Sequence, residues 1–500
     1  MSRSIEIIHQ TRRAQTAASE PRVLARLCEI VGAEHVLVDA DKVEPYSQDA
    51  VREKFPPEAV LLPRTATEIA AILKLANEAR FPVTARGGGV GYTGGAVPIE
   101  GGIVIGTDRM NRIREINADD LYAVAEPGVT TYALQQAVEA LGLFYPPDPA
   151  SYKESFIGGN IAENAGGMRS VKYGVTKHYV LGLEVVTPTG EIIRTGGRTS
   201  KNVVGFDLTS LICGSEGMLG IITEATLRLI PLPEATRTVR ATFRTMREAC
   251  ACVARFSRAR LIPVAIEVLD RNAIRAVESQ YAFGLGTEAG ALLLVAVDGS
   301  AQEVERTSLM VEEVLREGGG YELIRSATRE EEDRLWDVRR ALSPAVRKFG
   351  TLKLNEDVVV PRSRVPELVE RIEEIGIRQR TFVVNFGHAG DGNIHVNFMC
   401  DREDPQAVAR AREAVRETFA VAIELGGTIS GEHGIGYVKA PYLGMAIMAE
   451  TIETMKQIKR ALDPLGILNP GKVFSADAGP QAGGAQNGLQ QEAHTTRTPV

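Results

Sequence analysis

The fold is constrained most strongly by the stretch Pro82-Val83-Thr84-Ala85-Arg86-Gly87-Gly88-Gly89-Val90-Gly91-Tyr92-Thr93-Gly94-Gly95. Its first five residues are typical of a β-strand, and six of the nine that follow are glycine. Residues 89–94 match the Gly-x-Gly-x-x-Gly dinucleotide fingerprint, but that fingerprint also requires a helix that starts within the loop. Gly95 and Pro98 prevent a helix from starting here. We therefore predict a loop whose backbone N–H groups wrap a phosphate or pyrophosphate, and not a Rossmann fold.

Three more segments of the first half combine glycine with apolar residues, at 126–128, 157–167 and 213–222. Backbone that passes close to a large planar ligand uses glycine because a side chain would be in the way. Four such segments predict a long, extended cofactor. Apolar periodicity around them predicts helices at 67–79 and 132–141, and strands at 82–86, 103–105, 121–126, 183–187 and 221–229.

The pattern changes after Pro231 and Pro233, so we place a domain boundary near residues 231–234. Strands that alternate with helices beyond it predict a second domain of the α/β class. The predicted strands are 265–269, 291–297, 352–360 and 382–386, and the predicted helices are 301–316, 329–347 and 365–375.

Three of the seven histidines lie in two short glycine-rich pieces, Gly387-His388-Ala389-Gly390-Asp391-Gly392-Asn393-Ile394-His395-Val396-Asn397 and Ser430-Gly431-Glu432-His433-Gly434-Ile435-Gly436. The first piece is predicted to be the turn of a hairpin, so His395 and Asn397 share a face that His388 can reach. His388, His395 and Glu432 would form a three-ligand site for one divalent metal (zinc, manganese or iron), with positions open for substrate.

The composition excludes several classes of protein. The 500 residues, 44% hydrophobic and 24% charged, are typical of a soluble globular protein with two or three domains. A net charge of −7 argues against a nucleic-acid surface. No run is apolar enough to span a membrane, and the N-terminus lacks a signal-peptide core. The five scattered cysteines form no disulfide framework or iron–sulfur pattern, so we expect a cytoplasmic protein.

These segments together resemble a known flavoprotein family. Residues 86–95, 146–149 (Pro-Pro-Asp-Pro), 157–167, 172–174 and 213–222 are similar to the FAD domain of the vanillyl-alcohol-oxidase-type flavoproteins. Residues 387–397, 430–436 and 463–472 resemble the linked C-terminal oxidase domain. From about residue 36 to residue 474 the chain is similar to the FAD-linked D-2-hydroxyacid dehydrogenases, and residues 146–149 are most similar to the glycolate oxidase type within that family.

The resemblance implies an α+β fold with a two-lobed FAD-binding domain and a C-terminal α/β substrate (cap) domain built on an antiparallel sheet. We expect an N-terminal helical segment (1–54), the FAD-binding domain (55–233), the cap domain with the metal site (234–440), a C-terminal segment that returns to the flavin (441–475) and a disordered tail (476–500).

The resemblance also implies where FAD would bind, with the pyrophosphate along residues 87–95 and Asn469 closing over the flavin. The isoalloxazine would lie near Pro147, Gly158, Gly159, Asn164 and Gly217. No His or Cys lies in the phosphate loop, so we expect non-covalent FAD, and we interpret His178 and Cys213 as core residues. The predicted cofactor contacts are Arg86, Gly87, Gly88, Gly89, Gly91, Tyr92, Thr93, Gly94, Pro127, Gly128, Pro147, Asp148, Gly158, Gly159, Asn164, Gly166, Gly167, Tyr173, Glu216, Gly217, Ile221, Ile222 and Asn469.

On the substrate side, a 2-hydroxy acid needs a cation for its carboxylate and a base for its hydroxyl proton. The resemblance assigns the carboxylate to Arg339, Ser343 and Lys353, with Arg340 as the competing arginine. The family hydroxyl is commonly Thr, so Ser343 departs from the pattern. Asn397, on the same face as His395, is a further predicted substrate contact. The metal would hold the hydroxyl, and His433 would take its proton.

The predicted reaction is FAD-dependent oxidation of a D-2-hydroxy acid, such as glycolate or D-lactate, to the 2-oxo acid, with hydride transfer to flavin N5. D-2-Hydroxyglutarate dehydrogenase, a metal-dependent hydrolase without flavin and an ether-lipid synthase of the same fold are the alternatives. The electron acceptor is left open between a partner protein, a quinone, a cytochrome and oxygen. The glycolate oxidase type implies a second flavin subunit and an iron–sulfur subunit, through which the protein would lie peripheral to the inner membrane. Homo- and hetero-oligomers are both open.

Overall fold

The computed structural model describes residues 16–474. Part of the predicted N-terminal segment and the whole predicted tail at 476–500 lie outside the described residues. Within this range the chain forms three sheets of four or more strands and a two-stranded ribbon.

The first sheet has the strand order β1-β2-β4-β3. Strands β2, β4 and β3 are parallel, and β1 adds antiparallel at one edge. The longest helix beside this sheet is residues 66–79. It begins where Thr65 Oγ1 accepts from the Glu68 N–H, and it ends at Arg80, whose backbone is in the left-handed region with φ of 60°. The strands are β1 (Val36–Leu37), β2 (Ala59–Leu61), β3 (Val83–Arg86) and β4 (Ile103–Gly106), and the helices are α1 (Pro21–Val31), α2 (Ala40–Val43) and α3 (Ala66–Ala79).

The second sheet is antiparallel throughout, in the order β5-β6-β10-β8-β9. Its strands are β5 (Ile113–Asn117), β6 (Tyr122–Ala125), β8 (Val180–Val186), β9 (Ile192–Gly196) and β10 (Ile221–Arg228), beside a ribbon of β7 (Leu143–Phe144) and β11 (Ile230–Pro231). The helices between them are α4 (Thr131–Glu139), α5 (Ile157–Glu163), α6 (Ser170–Tyr173) and α7 (Leu208–Ile212).

The third sheet begins just after the predicted boundary and has seven antiparallel strands in the order β15-β12-β14-β13-β17-β18-β16. They are β12 (Ala235–Phe243), β13 (Ala265–Asp270), β14 (Ala291–Gly299), β15 (Tyr321–Arg325), β16 (Leu352–Val359), β17 (Phe382–His388) and β18 (Asn393–Cys400). The helices are α8 (Met246–Arg258), α9 (Arg271–Tyr281), α10 (Ala301–Glu317), α11 (Arg329–Arg340), α12 (Leu342–Ala345), α13 (Val365–Arg378), α14 (Pro405–Glu424), α15 (Leu443–Ala446) and α16 (Ala449–Leu462).

The two faces of the seven-stranded sheet differ in chemistry. One face packs against α8, α10, α13 and α14 in a large apolar core. On the other face a smaller core under α9, α11 and α12 covers part of the sheet. Next to that core, β13, β16, β17 and β18 carry the buried polar side chains Glu267, Asp357, His388, His395 and Asn397. A buried row of ionisable groups beside an apolar core marks this face as the candidate site.

The predicted α+β fold, with an antiparallel sheet in the C-terminal domain, is confirmed. The prediction of one helix at 329–347 was wrong, because α11 ends at Arg340 and α12 covers only Leu342–Ala345. Pro344 explains the break, since it has no N–H to donate to the carbonyl of Arg340 and its ring collides with that carbonyl. The sequence had suggested that Ser343 lies one helical turn beyond Arg339 in a continuous helix. The structure places it in the separate helix α12 instead.

Candidate active site

The three predicted metal ligands come together at the end of the β17–β18 hairpin. His388 closes β17, and His395 lies in β18 opposite Phe386. The Nε2 atoms of the two imidazoles are 3.3 Å apart, and Glu432 Oε1 lies 3.3 Å from His388 Nε2 and 3.4 Å from His395 Nε2. All the ligand atoms lie within 4.8 Å of one another. Two imidazole nitrogens and one carboxylate oxygen are a donor set that suits zinc, manganese or iron.

The electrostatics of this cluster also suit a cation. Although burial acts against it, the carboxylates of Glu267 and Glu432 hold the pKa of His388 well above its ordinary value. Burial and the neighbouring positive charge of His388 hold the pKa of His395 well below its ordinary value. The cluster therefore favours a positive charge between the two acids. A divalent ion would balance the two carboxylate charges better than a single proton does.

Behind the cluster, Glu267 on β13 bonds two of the predicted site residues at once. His388 Nδ1 lies 2.5 Å from Glu267 Oε1, and Arg339 Nε donates to Glu267 Oε2 over 2.5 Å. Glu267 is 0% exposed and Arg339 is 8% exposed. Burial disfavours the charged acid, but His388 and Arg339 outweigh it and lower the pKa of Glu267 to about 2. Arg339 therefore reaches the site, whereas the half-exposed Arg340 bonds Asp337 on its own helix.

A second buried acid, Asp357 on β16, holds the loop that carries Glu432 and His433. Asp357 Oδ2 accepts from the N–H groups of Gly431, Glu432 and His433 at 2.9, 2.7 and 2.9 Å. Its other oxygen pairs with buried Lys439 and lies 3.3 Å from His433 Nδ1. Burial opposes ionisation, but His433 and Lys439 lower the pKa of Asp357 to about 2. The anion thus fixes the backbone of the loop and faces one nitrogen of His433.

His433 lies at the meeting point of the two halves of the chain. Its ring stacks between Tyr92 and His395, at centroid distances of 4.8 and 5.3 Å. Thr93 Oγ1 donates to the His433 carbonyl over 3.1 Å, so the glycine-rich loop and the 430–436 loop are bonded to each other. Lys353 Nζ lies 5.4 Å from the centre of the Tyr92 ring. Burial, together with Arg347 and Arg52, lowers the pKa of Lys353 to about 8.

The four glycine-rich segments of the first half contact one another closely. A Cβ on Gly87 would stand 3.4 Å from Gly159 N, and one on Gly158 would stand 2.5 Å from Pro127 Cβ. Asn469 Nδ2 donates to the carbonyls of Gly95 and Glu216 at 3.1 and 2.7 Å. At Gly158 a Cβ would collide with Pro127, so this contact requires glycine.

The same region fits a large polar ligand. A Cβ at Gly159 would meet no atom within 4 Å, so this position borders open space. Within the described residues, Asn469 Oδ1 and Glu163 Oε2 are buried without a hydrogen-bond partner. Buried polar atoms of this kind call for a partner that the protein itself does not supply.

Several predicted cofactor residues have their side chains committed elsewhere. Arg86 donates to the carbonyls of Pro45 and Ala96, and these bonds hold the glycine-rich loop in place. Tyr173 Oη donates to Asp298 of β14 over 2.7 Å. Ile221 and Ile222 are buried in apolar cores. In these residues only the backbone atoms can contact a ligand.

Two further expectations change. His178, interpreted as a core residue, is exposed and its Nδ1 accepts from the Val175 N–H, whereas Cys213 is buried as expected. Asn397 Nδ2 donates to the carbonyls of Val384 and His395, which leaves its Oδ1 buried and without a partner among the described residues. Asn397 would therefore offer substrate an acceptor, not a donor.

Sequence reasoning missed Glu267, Asp357 and Lys439. A signal was present for the two acids, since each is a carboxylate inside an otherwise mostly apolar predicted strand. Their partners lie 72 to 121 residues away, and no local pattern reports that distance.

A cavity of about 740 Å³ between α8, α9 and α13 contains none of the predicted site residues. Among residues 16–474, no helix has both the length and the apolar character needed to cross a membrane.

Comparison with known proteins agrees with this geometry. Residues 57–196 match the FAD binding domain family, and residues 232–473 match the family of FAD linked oxidases, C-terminal domain. Glycolate oxidase subunit GlcD of Bacillus subtilis is 44% identical over 87% of this chain and 92% of its own length. D-lactate dehydrogenase of Anaerostipes hadrus is 37% identical over 91% of this chain and 97% of its own.

Among solved structures, p-cresol methylhydroxylase with substrate bound has a TM-score of 0.78 and 18% identity, covering 92% of this chain and 98% of that one. This likeness concerns the fold. The fold and the matched domains define a two-domain FAD-linked oxidoreductase. The chain belongs to the FAD-linked oxidase family that includes the glycolate oxidase GlcD subunits and the D-lactate dehydrogenases.

Proposed function

We propose that this protein oxidises a small D-2-hydroxy acid, of the size of glycolate or D-lactate, to the 2-oxo acid. The observation that carries the proposal is the convergence of Arg339, His433 and the His388–His395–Glu432 cluster on one face of the sheet, against the glycine-rich loop. A carboxylate anchor, a base and a hydroxyl-binding cluster are what this oxidation needs.

In this proposal Arg339 binds the substrate carboxylate. Its Nε is held by Glu267, so the two terminal nitrogens keep the planar fork that suits a carboxylate. Lys353 adds a second positive charge on the side of Tyr92. Ser343 completes the predicted contacts to the carboxylate, whereas the Oδ1 of Asn397, which can only accept, would face the substrate hydroxyl. The carboxylate is thereby fixed before the reaction, which removes much of its orientational freedom.

His433 takes the proton of the substrate hydroxyl. Burial is the main reason that its pKa lies below the ordinary value, so the imidazole is neutral and can accept a proton near pH 7. Asp357 faces His433 Nδ1 at 3.3 Å and would stabilise the imidazolium that forms. FAD bound along the glycine-rich segments would supply the acceptor for the Cα hydride, so that substrate loses one proton and one hydride.

His388, His395 and Glu432 would hold one divalent ion, and the ion would supply a Lewis acid near the substrate hydroxyl.

We propose that FAD is bound without a covalent link. Cys213 is buried in an apolar core, and burial raises the pKa of its thiol to about 12, so little of the thiolate nucleophile forms there. His178 Nδ1 already accepts from the Val175 N–H.

The two electrons must then leave the protein. The Bacillus subtilis relative is named as a subunit of glycolate oxidase, which supports a partner protein as the acceptor. The five cysteines are free and do not form a cluster that could carry electrons onward. We propose a second flavin subunit or an iron–sulfur subunit as that partner.

One observation favours a second candidate substrate, D-2-hydroxyglutarate. Arg52 and Arg347 are close enough to Lys353 to contribute to its lowered pKa. Three cations around one end of the site would suit the distal carboxylate of a dicarboxylic 2-hydroxy acid.

Turnover of purified protein with a dye acceptor tests the proposal. We expect activity with glycolate or D-lactate, bleaching of the bound flavin by substrate without oxygen, and loss of metal but not flavin in His388→Ala and His395→Ala. Faster turnover of D-2-hydroxyglutarate than of either monocarboxylate would select the second candidate. A protein that binds FAD but is not reduced by any of the three acids would refute both.

A further inference from the structure

We propose that Glu267 is a positioning residue that links the two halves of the site. One of its oxygens sets the imidazole of His388 for metal binding, and the other sets the fork of Arg339 for the substrate carboxylate. The inference rests on the proposed function, because it concerns how the same metal site and the same arginine are held.

The geometry leaves Glu267 few other roles. It lies in the middle of β13, paired with His388 of β17, and it is 0% exposed. Its two oxygens are 2.5 Å from His388 Nδ1 and 2.5 Å from Arg339 Nε. A fully buried carboxylate cannot reach substrate from behind both side chains, so it acts through them.

The bond to His388 decides which nitrogen is free for a metal. An ionised carboxylate can only accept, so the proton must be on His388 Nδ1. The neutral imidazole, which is the form that binds a metal, then has its lone pair on Nε2, the atom that faces His395 and Glu432. A metal-binding histidine that donates its other N–H to a carboxylate has both its tautomer and its ring orientation fixed in this way.

The bond to Arg339 acts on the second half of the site. Holding Nε fixes the plane of the guanidinium, which also lies over the Phe386 ring at 4.9 Å. Because one carboxylate makes both bonds, an amide in its place can satisfy only one donor with its single oxygen. Its NH₂ group would then face either an N–H of Arg339 or the Nδ1 of His388, and the latter moves the proton to Nε2.

Asp270 provides a matched control on the same strand. It is also a buried acid, but its oxygens accept from the N–H groups of Ala273 and Asn385, and it caps α9. Its replacement by Asn should weaken the fold without touching His388 or Arg339.

The experiment compares Glu267→Gln, Glu267→Asp, Arg339→Lys and Asp270→Asn as flavin-loaded proteins. Zn²⁺ and Mn²⁺ affinities are measured by competition with a chelator, and KM for D-lactate and glycolate is measured at saturating metal. We expect Glu267→Gln to bind metal about 10- to 100-fold more weakly, the usual effect of losing such a partner, and to show a raised KM as well. Arg339→Lys should raise KM alone, and Asp270→Asn should lower thermal stability alone.

Glu267→Asp keeps the charge on a shorter arm and should recover one of the two effects, which keeps the test available if Glu267→Gln does not fold. Metal affinity and KM of Glu267→Gln both within twofold of wild type would overturn the inference while the proposed function stands. Altered KM with unaltered metal affinity would reduce Glu267 to an ion-pair partner of Arg339 and also overturn it. If wild type itself takes up no divalent ion, the metal part of the proposed function fails, and the link to His388 fails with it.

Discussion

Arg339 and Arg340 are adjacent in sequence but meet different surroundings. Arg339 points into the sheet and is held by Glu267, while Arg340 is half exposed and bonds Asp337. Arg339→Lys keeps the charge but loses the fork, so we expect KM for the 2-hydroxy acid to rise about ten- to a hundredfold, equivalent to about 1.5–3 kcal/mol. Steady-state kinetics with the dye acceptor would show this. Arg340→Lys is the control, and a larger effect there would mean that the other arginine binds substrate.

His433 is stacked, buried and faced by a carboxylate, which suits a base. His433→Ala should lower kcat by about 10²–10⁴, the usual contribution of general-base catalysis, with flavin and metal retained. His178→Ala, at an exposed histidine, should leave kcat unchanged. A His433→Ala protein that loses its metal would instead make His433 a ligand and transfer the role of base to Glu432.

At the scale of elements, the 430–436 loop depends on strand β16. Asp357→Asn would remove the nearer of the two carboxylates that face buried Lys439, since Glu356 Oε2 lies 3.6 Å away, and would weaken three backbone bonds. We therefore expect a loss of about 3–5 kcal/mol in the free energy of unfolding. The carboxylate has a lowered pKa of about 2 against an ordinary 3.8. Its contribution is therefore present above 3.8 and lost as pH falls through about 2.

Denaturant unfolding at pH 7 and at acid pH would measure this contribution. The difference between wild type and Asp357→Asn should shrink as the pH falls below about 4. The double variant Asp357→Asn/Lys439→Met should be more stable than Asp357→Asn, because it removes the buried charge that has lost its nearer carboxylate. A difference that stays constant with pH would show that the charge of Asp357 is not what stabilises the loop.

A second element-scale contact ties the C-terminal segment to the cofactor loop. Lys472 is 1% exposed, and its Nζ donates to the carbonyls of Gly94 and Gly95 at 2.7 and 3.3 Å and to that of Val97. Lys472→Met would remove a donor from all three carbonyls and leave that of Gly94 unsatisfied, at about 1–3 kcal/mol, so FAD should bind roughly tenfold more weakly or worse. Flavin titration of apoprotein would show it, with the exposed Lys201→Met as control. Equal FAD affinity would mean that the loop holds its shape alone.

The helix predicted at 329–347 illustrates the limit of pattern reasoning at this scale. Its apolar periodicity continues past Arg340, but Pro344 ends α11 early and places Ser343 in a separate short helix. The hairpin was predicted better, because strict alternation put His395 and Asn397 on one face and tertiary contacts kept that register.

At the scale of the whole molecule, the proposed FAD site combines residues that are far apart in the chain. Glu216 accepts from the N–H groups of Ile435 and Gly436, and Asn469 joins Gly95 to Glu216. If FAD is bound in this region without a covalent link, acid precipitation should release all of it to the supernatant. Absorbance near the flavin band of supernatant and pellet would measure the split, and yellow colour retained in the pellet would refute non-covalent binding.

The sequence by itself determined the class of loop at 87–95, the two-part α+β organisation and the residues His388, His395 and Glu432. These follow from local rules, since glycine sets backbone freedom and strand alternation sets which side chains share a face. Tertiary structure decided what lies behind them. Glu267 and Asp357 found their partners through strand order and a returning loop, and Tyr92 reached His433 only because two loops about 340 residues apart in the chain meet. Such contacts depend on how distant strands pair, which no local pattern encodes.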